Sequence, residues 1–289
     1  MPELPEVETI VRQLAPALAG RLILRAKVFR PDVLRQSPSL LRRTVAGAEI
    51  RSVARRGKNI VLSLSPSPAH GTPTSRFLVV NLGMTGRLLL PPSPPRRWDR
   101  PTHVAVAFHL DSGDSLLYAD SRRFGRLALF SPEEWATESK RLGPEPLGPS
   151  LTPETFHNRL VGSRAPVRSW LLDQRRLAGI GNIYACEALH RAGIHPVRSG
   201  ASLEPTDSAR LLTALQEILR DAIEARGTTL RDYRTASGEE GGFLPSLRAY
   251  GREGSPCPGC GSLIVRIAFS GRSAFFCPRC QPESPPGKA

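Results

Sequence analysis

Two Cys-x2-Cys pairs near the end of the chain constrain its fold more than any other feature. Cys257 and Cys260 are separated by sixteen residues from Cys277 and Cys280, a spacing at which four thiolates close around one tetrahedral zinc ion. Small or turn-forming residues inside CPGC and CPRC let each pair of sulfurs approach the same ion. Four protein ligands leave no coordination position open, so the metal is structural and performs no reaction. The residues between, SLIVRIAFSGRSAFF, read as two short strands joined by a turn at Ser270-Gly271-Arg272, a β-hairpin finger with Arg272 at its tip. The fifth cysteine, Cys186, stands alone in NIYACEALHRAG and reads as a small buried apolar residue. Cysteine distribution therefore argues against a disulfide framework.

At 289 residues the chain is longer than one core accommodates, and two domains plus the finger are expected. In PEVETIVRQLAPAL, apolar Val7, Ile10, Val11, Leu14 and Leu18 fall at the spacing of one buried helical face. From about residue 22 to 130 the pattern changes to short alternating runs, RLILRAKVF, NIVLSLS, RFLVVNL, HVAVAFHL, SLLYAD and GRLALF, which predict a β-sandwich or barrel. Two inserts rich in Pro and Ser, at 66–75 and 91–101, are expected as surface loops. LGPEPLGPSLTPE marks the change to helical periodicity, and helices are expected at 153–161, 166–173, 182–192 and 206–226, with Asn182 as an N-cap. The polar, Gly-rich stretch at 228–247 predicts a mobile loop that closes over a ligand. The fold class is thus α+β, with domains at 1–141 and 153–247, a linker at 142–152, the finger at 248–281 and a disordered tail at 282–289.

Lys and Arg number 40 against 26 Asp and Glu, a net charge of +14. Genome composition can set the ratio of Arg to Lys. A net excess of this size points instead to a polyanionic partner, nucleic acid first. No apolar run is long enough to span a bilayer, and MPELPEVETI carries acids where a secretory signal carries basic and apolar residues. The expectation is a cytoplasmic protein without a membrane partner.

The N-terminus offers chemistry of its own. If Met1 is removed, Pro2 presents a secondary α-amine, whose ordinary pKa near 8 leaves roughly a tenth unprotonated at neutral pH, about a hundredfold more than for lysine. Such an amine can attack C1′ of a deoxyribose and remain attached as an iminium. By residue type alone, this reading stands beside that of an ordinary N-terminus.

The segments MPELPEVE, RRGKNIVL, NLGMTG, ADSRRFG, LGPEPL, GIGNIYACEALHRAGIHP, GTTLRDY, YGREGSPCPGCG and FFCPRCQ occur in an order that resembles the formamidopyrimidine-DNA glycosylase family from end to end. The resemblance implies an N-terminal β-sandwich, a helix–two-turn–helix domain and a zinc-bound finger. It also implies a monomeric base-excision repair enzyme that removes oxidised purines from double-stranded DNA and then cuts the strand as an abasic-site lyase. Pro2 is then the nucleophile, Glu3 its general acid/base, Lys58 an aid to β-elimination near the lesion's phosphate, and Arg272 a phosphate contact that assists δ-elimination. Phe124 wedges beside the orphaned partner base, while Met84 and Arg122 fill the gap left by the flipped nucleotide. Asn182 holds a phosphate, and Arg164 and Arg168 add backbone contacts. Glu6 is a candidate brace for the site. Asn81 and Pro101 stand where the family usually carries histidines, so DNA grip is touched and the nucleophile is not. Two alternatives remain: an endonuclease VIII-type relative for oxidised pyrimidines, and a non-catalytic zinc-containing damage sensor. Leu4, Phe124 and the long GTTLRDY loop favour the purine enzyme over the first, and retention of Pro2, Glu3 and Lys58 disfavours the second.

Overall fold

The computed structural model describes residues 2–67, 74–91, 102–269 and 271–283, without the Phe269 side chain. Met1, most of both Pro-rich inserts, Pro101, Ser270 and the tail from 284 lie outside the described residues. The chain divides into two compact units, Met1–Arg141 with Ile223–Gly242, and Leu142–Ala222 with Phe243–Ala289. No helix among the described residues is long and apolar enough to cross a membrane.

The first unit opens with helix α1 (Leu4–Leu18), which has Pro5 in its first turn, where a missing N–H costs nothing. Its stripe of Val7, Ile10, Val11, Leu14 and Leu18 is buried, as the spacing predicts. Eight antiparallel strands follow: β1 (Leu22–Val28), β2 (Ala48–Arg56), β3 (Asn59–Leu64), β4 (Arg76–Asn81), β5 (Gly86–Leu89), β6 (Val104–Leu110), β7 (Ser115–Asp120) and β8 (Arg126–Phe130). They are ordered β5-β7-β6-β1-β2-β3-β4-β8. β1 and β2 pair only through Leu22–Glu49 and Ile23–Ala48, and both strands carry a register irregularity in their other pairings. There the sheet folds into the two leaves of a sandwich. Leu88 of β5 and Leu127 of β8, on opposite edge strands, belong to one core cluster with Ile23, Ile50, Leu62, Val80 and Phe108.

Two short helices, α2 (Pro38–Val45) and α3 (Pro132–Lys140), go beyond the sequence reading; each starts on a Ser-Pro step whose serine accepts a backbone N–H. The segment 223–242 groups with this unit, not with the helices, and it is held firmly. Glu6 accepts the N–H of Thr228, Gln13 accepts that of Ala236, Arg87 donates to the Asp232 carbonyl, and the N–H of Leu90 donates to the Ala236 carbonyl. The loop expected at 228–247 thus has no named helix or strand over 228–242, and its backbone is hydrogen-bonded to the first unit at these four points.

The second unit contains α4 (Pro153–Val161), α5 (Val167–Leu172), α6 (Asn182–Ala192) and α7 (Pro205–Glu224). Trp170 meets Phe156 edge-on at 5.6 Å, and Ile180, Ile183, Tyr184, Leu211 and Leu215 are buried in the same unit. Strands β9 (Val265–Phe269) and β10 (Arg272–Phe276) form the finger hairpin, with Arg272 opposite Phe269 and Gly271 in the turn at a φ of 72°. The N-cap of α6 is Gly181, in an extended conformation, and Asn182 is the first helical residue. The expected Asn182 cap is thus corrected, since its side chain has other partners.

Candidate active site and nucleic-acid interface

Pro2 and Glu3 sit at a helix start that is hydrogen-bonded both locally and to a distant segment. Glu3 is the N-cap of α1 and donates its N–H to Glu6 at 2.7 Å. The other oxygen of Glu6 accepts the N–H of Thr228 at 2.7 Å, 222 residues away. Glu3 and Glu6 are 3% and 1% exposed, and Pro2 is buried beside them. A buried carboxylate that accepts two backbone N–H groups is satisfied, and it fixes the helix start against the 228 segment. Burial and the nearby Glu6 charge push the Tyr233 phenol above its ordinary pKa, so its hydroxyl stays a donor, to the Arg226 carbonyl at 3.0 Å.

Gly227 completes this brace. At a φ of +83°, an added Cβ would lie 3.0 Å from the Cγ and Oε1 of Glu6 and 3.1 Å from the Tyr233 ring. Gly227→Ala is expected to cost about 1–3 kcal/mol of stability through left-handed strain and crowding, read as a lower midpoint in denaturant unfolding; an unchanged midpoint would remove the bracing role.

Lys58 sits in the two-residue turn between β2 and β3, where Arg56 pairs with Asn59. Gly57 takes a φ of 57° at the first central position, as the primed hairpin turns require. Arg55 ties the turn to α1: its Nε donates to Glu8 at 2.8 Å and its Nη1 to the Gly57 carbonyl at 3.1 Å. Burial raises the pKa of Glu8, but the hydrogen bonds from Arg55 and Arg12 outweigh it and hold the carboxyl below its ordinary value. Local turn chemistry and one ion pair thus bring the Lys58 turn to the first turns of α1.

Met84 and Phe124 are 41% and 54% exposed, unlike core residues at a strand end, and the Arg122 guanidinium stacks over the Phe124 ring at 4.6 Å. Asp120 lies beneath them, a residue that the sequence reading passed over. It is 3% exposed and accepts from Thr85 and Tyr118 hydroxyls and from the N–H groups of Arg122 and Gly125. Its only signal in the sequence was an acid at a strand end before SRRFG. Asn81 has a role of its own at the neighbouring turn: it donates to Asn59 at 2.9 Å and accepts the Gly83 N–H at 3.0 Å.

In the second unit Asn182 and Arg272 are brought together. The Asn182 amide donates to the carbonyl of Ser273, next to Arg272, at 2.9 Å, and Arg168 donates to both the Asn182 oxygen at 2.6 Å and that carbonyl at 3.0 Å. Arg272 and Arg164 are exposed. Arg168 is fully buried, so its expected place on the DNA backbone is corrected: it supports Asn182 and the hairpin from within. Glu187, also missed in the sequence, accepts the N–H groups of Arg248, Ala249 and Tyr250 and so fixes the chain entering the finger.

The four cysteine sulfurs lie within 4.8 Å of one another, with Cys257 to Cys280 at 3.9 Å and Cys260 to Cys277 at 3.4 Å. A tetrahedral ion with sulfurs at about 2.3 Å needs edges near 3.8 Å, so the residues fit one zinc ion. Gly259 donates its N–H to the Cys257 sulfur and Cys280 to that of Cys277, each at 3.4 Å. His190 Nε2 is 3.3 Å from the Cys257 sulfur, close enough to donate to it were that sulfur a metal-bound thiolate.

Three family models match the chain in succession: the N-terminal domain of formamidopyrimidine-DNA glycosylase over residues 1–127, its H2TH domain over 142–234, and a zinc finger found in FPG and IleRS over 254–282. A formamidopyrimidine-DNA glycosylase of Cereibacter sphaeroides is 44% identical, with 97% of this chain and 100% of that protein aligned. Among solved structures, the MutM (FPG) protein of Thermus thermophilus superposes with a TM-score of 0.83 at 40% identity, covering 98% of this chain and 100% of that one. A Lactococcus lactis FPG mutant in complex with Fapy-dG-containing DNA superposes with a TM-score of 0.87 at 30% identity, covering 97% of this chain and 100% of that one.

Proposed function

The chain belongs to the formamidopyrimidine-DNA glycosylase family, and from that premise we propose that it excises oxidised purines from damaged duplex DNA and then cuts the strand at the abasic site it has made. Buried Pro2 and Glu3, at a helix start that Glu6 braces twice, carry the reading: once Met1 is removed, a Pro2 amine there is held in one place, which turns a weak nucleophile into an oriented one. The Pro2 nitrogen attacks C1′ as the bond to the base breaks, and the base leaves with a proton. Glu3, adjacent and largely out of solvent, relays protons during ring opening. The resulting iminium draws electrons from the C2′–H bond, and the 3′ phosphate leaves. A second elimination expels the 5′ phosphate, after which water releases the sugar fragment and regenerates the amine.

Lys58 and Arg272 face the phosphates during these eliminations, Met84 and Arg122 occupy the vacancy in the stack, and Phe124 wedges beside the orphaned base. Asn182 and Arg164 hold the backbone. Cys257, Cys260, Cys277 and Cys280 hold one zinc ion, which supplies the finger's fold and no reaction step. We take the work to be on chromosomal DNA in a bacterial cytoplasm, given the bacterial sources of the relatives.

Borohydride reduction of the iminium tests nucleophile and substrate together. On a duplex containing 8-oxoguanine a covalent protein–DNA adduct is expected within minutes, with much slower trapping on thymine glycol. Absence of any adduct overturns the mechanism, and faster trapping on thymine glycol transfers the enzyme to oxidised pyrimidines.

A further inference from the structure

We propose that Asp120 is the positioning residue of the unstacking wedge: one buried carboxylate sets Met84, Arg122 and Phe124 in register, so that it governs base excision and not cleavage of a ready-made abasic site. The proposal rests on the glycosylase reading above.

Four donors converge on Asp120. Thr85 Oγ1 reaches Oδ1 at 2.5 Å, and the N–H of Arg122 reaches the same oxygen at 3.2 Å. Tyr118 Oη and the N–H of Gly125 reach Oδ2 at 3.1 and 2.8 Å. Thr85 is the residue after Met84, while Arg122 and Gly125 lie on either side of Phe124, so a single acceptor ties the β4–β5 turn to the β7–β8 turn. Burial raises the pKa of Asp120, but the bonds from Thr85, Gly125 and Tyr118 outweigh it and hold the group below the usual carboxylate range, ionised at neutral pH. Only an ionised carboxylate accepts all four without offering a proton back.

The two turns also have no slack between them. A Cβ on Gly83 would lie 2.5 Å from the Gly125 nitrogen and 2.6 Å from the Phe124 carbonyl carbon, and one on Gly125 would collide with the Tyr118 hydroxyl. Backbones this close cannot slide independently, so an error at Asp120 is passed to all three wedge side chains. At 3% exposure Asp120 does not reach DNA itself. Its influence is geometric, and misplacement of about 1 Å at a reacting centre costs on the order of a hundredfold in rate.

An abasic nucleotide has no base to unstack, so its cleavage asks little of the wedge. Asp120→Asn conserves size but turns an NH2 group towards at least one donor. Under single-turnover conditions the full-length, zinc-loaded variant is expected to excise 8-oxoguanine on the order of a hundredfold more slowly, and to lose the fluorescence rise of a 2-aminopurine placed beside the lesion. Borohydride trapping on an abasic duplex should stay within about threefold of wild type. Thr85→Val, which removes one donor, should show the same split more weakly, and Thr85→Ser, which keeps the hydroxyl, should abolish it. Parallel loss on both substrates, or no loss on either, overturns the proposal alone. Wild-type protein that traps neither substrate overturns the glycosylase reading and this proposal with it.

Discussion

Pro2→Gly is expected to reduce borohydride trapping and strand cutting by about a thousandfold or more, because, on the proposed mechanism, losing the nucleophile disables every step that depends on it. Glycine retains an α-amine but makes it primary. A primary amine gives an imine that loses its charge with its proton, whereas proline's secondary amine gives an iminium that stays cationic and keeps drawing electrons through both eliminations. Glycine also gives the first residue backbone freedom in front of the helix start that Glu3 and Glu6 hold. DNA affinity at fixed salt, read by fluorescence anisotropy, should stay within about threefold, since no phosphate contact is removed. Trapping at the wild-type rate would show that another amine attacks, with Lys58 the first to examine.

Loss of the metal is expected to act on binding. Cys277→Ala, or stripping with a strong chelator, removes an ion whose site is worth about 10–16 kcal/mol of folding free energy in isolated fingers, so the hairpin should unfold. The DNA contacts proposed for Arg272 and the neighbouring hairpin would then be lost. Two charge-assisted contacts at about 1.5 kcal/mol each correspond to roughly a hundredfold in affinity. The Ser273 carbonyl would also leave Asn182 and Arg168, freeing the α6 terminus. Anisotropy with the damaged duplex and a zinc-release dye, read together, check this. Metal loss without loss of affinity would reduce the finger to a passive appendage. Zinc in the Cys277→Ala protein at one ion per chain would show that three sulfurs suffice.

How legible these features were in the sequence depended on distance along the chain. The cysteine spacing, the α1 stripe and the bounds of α4 and α6 are set by neighbours within a few residues, and all were readable. β2 was not, because its irregularity between Ile50 and Ser52 breaks the two-residue alternation and arginines interrupt the rest. β5 has only four residues. α3 buries no residue fully, so apolar periodicity had nothing to register, although SPEE carried the capping signal. Arg168 looked like another surface cation until folding placed the Ser273 carbonyl against it from 105 residues away. Glu6 was named as a brace, but its partner Thr228 could not be read from an isolated sequence, and Asp120 acquires its meaning only when two turns converge on it.

The Arg122 guanidinium stacks on the Phe124 ring through contacts of the chain's own, and on the wedge role proposed for them this bears on how rare damage is found. A probe that must first order itself would charge every undamaged base pair the same entropic toll during sliding. A probe whose two side chains pack on each other would instead place the cost of each test on the duplex, in the work of parting two stacked steps. Discrimination then begins before any base enters a pocket: weakly stacked or weakly paired nucleotides yield to the wedge, and sound ones return it to the search.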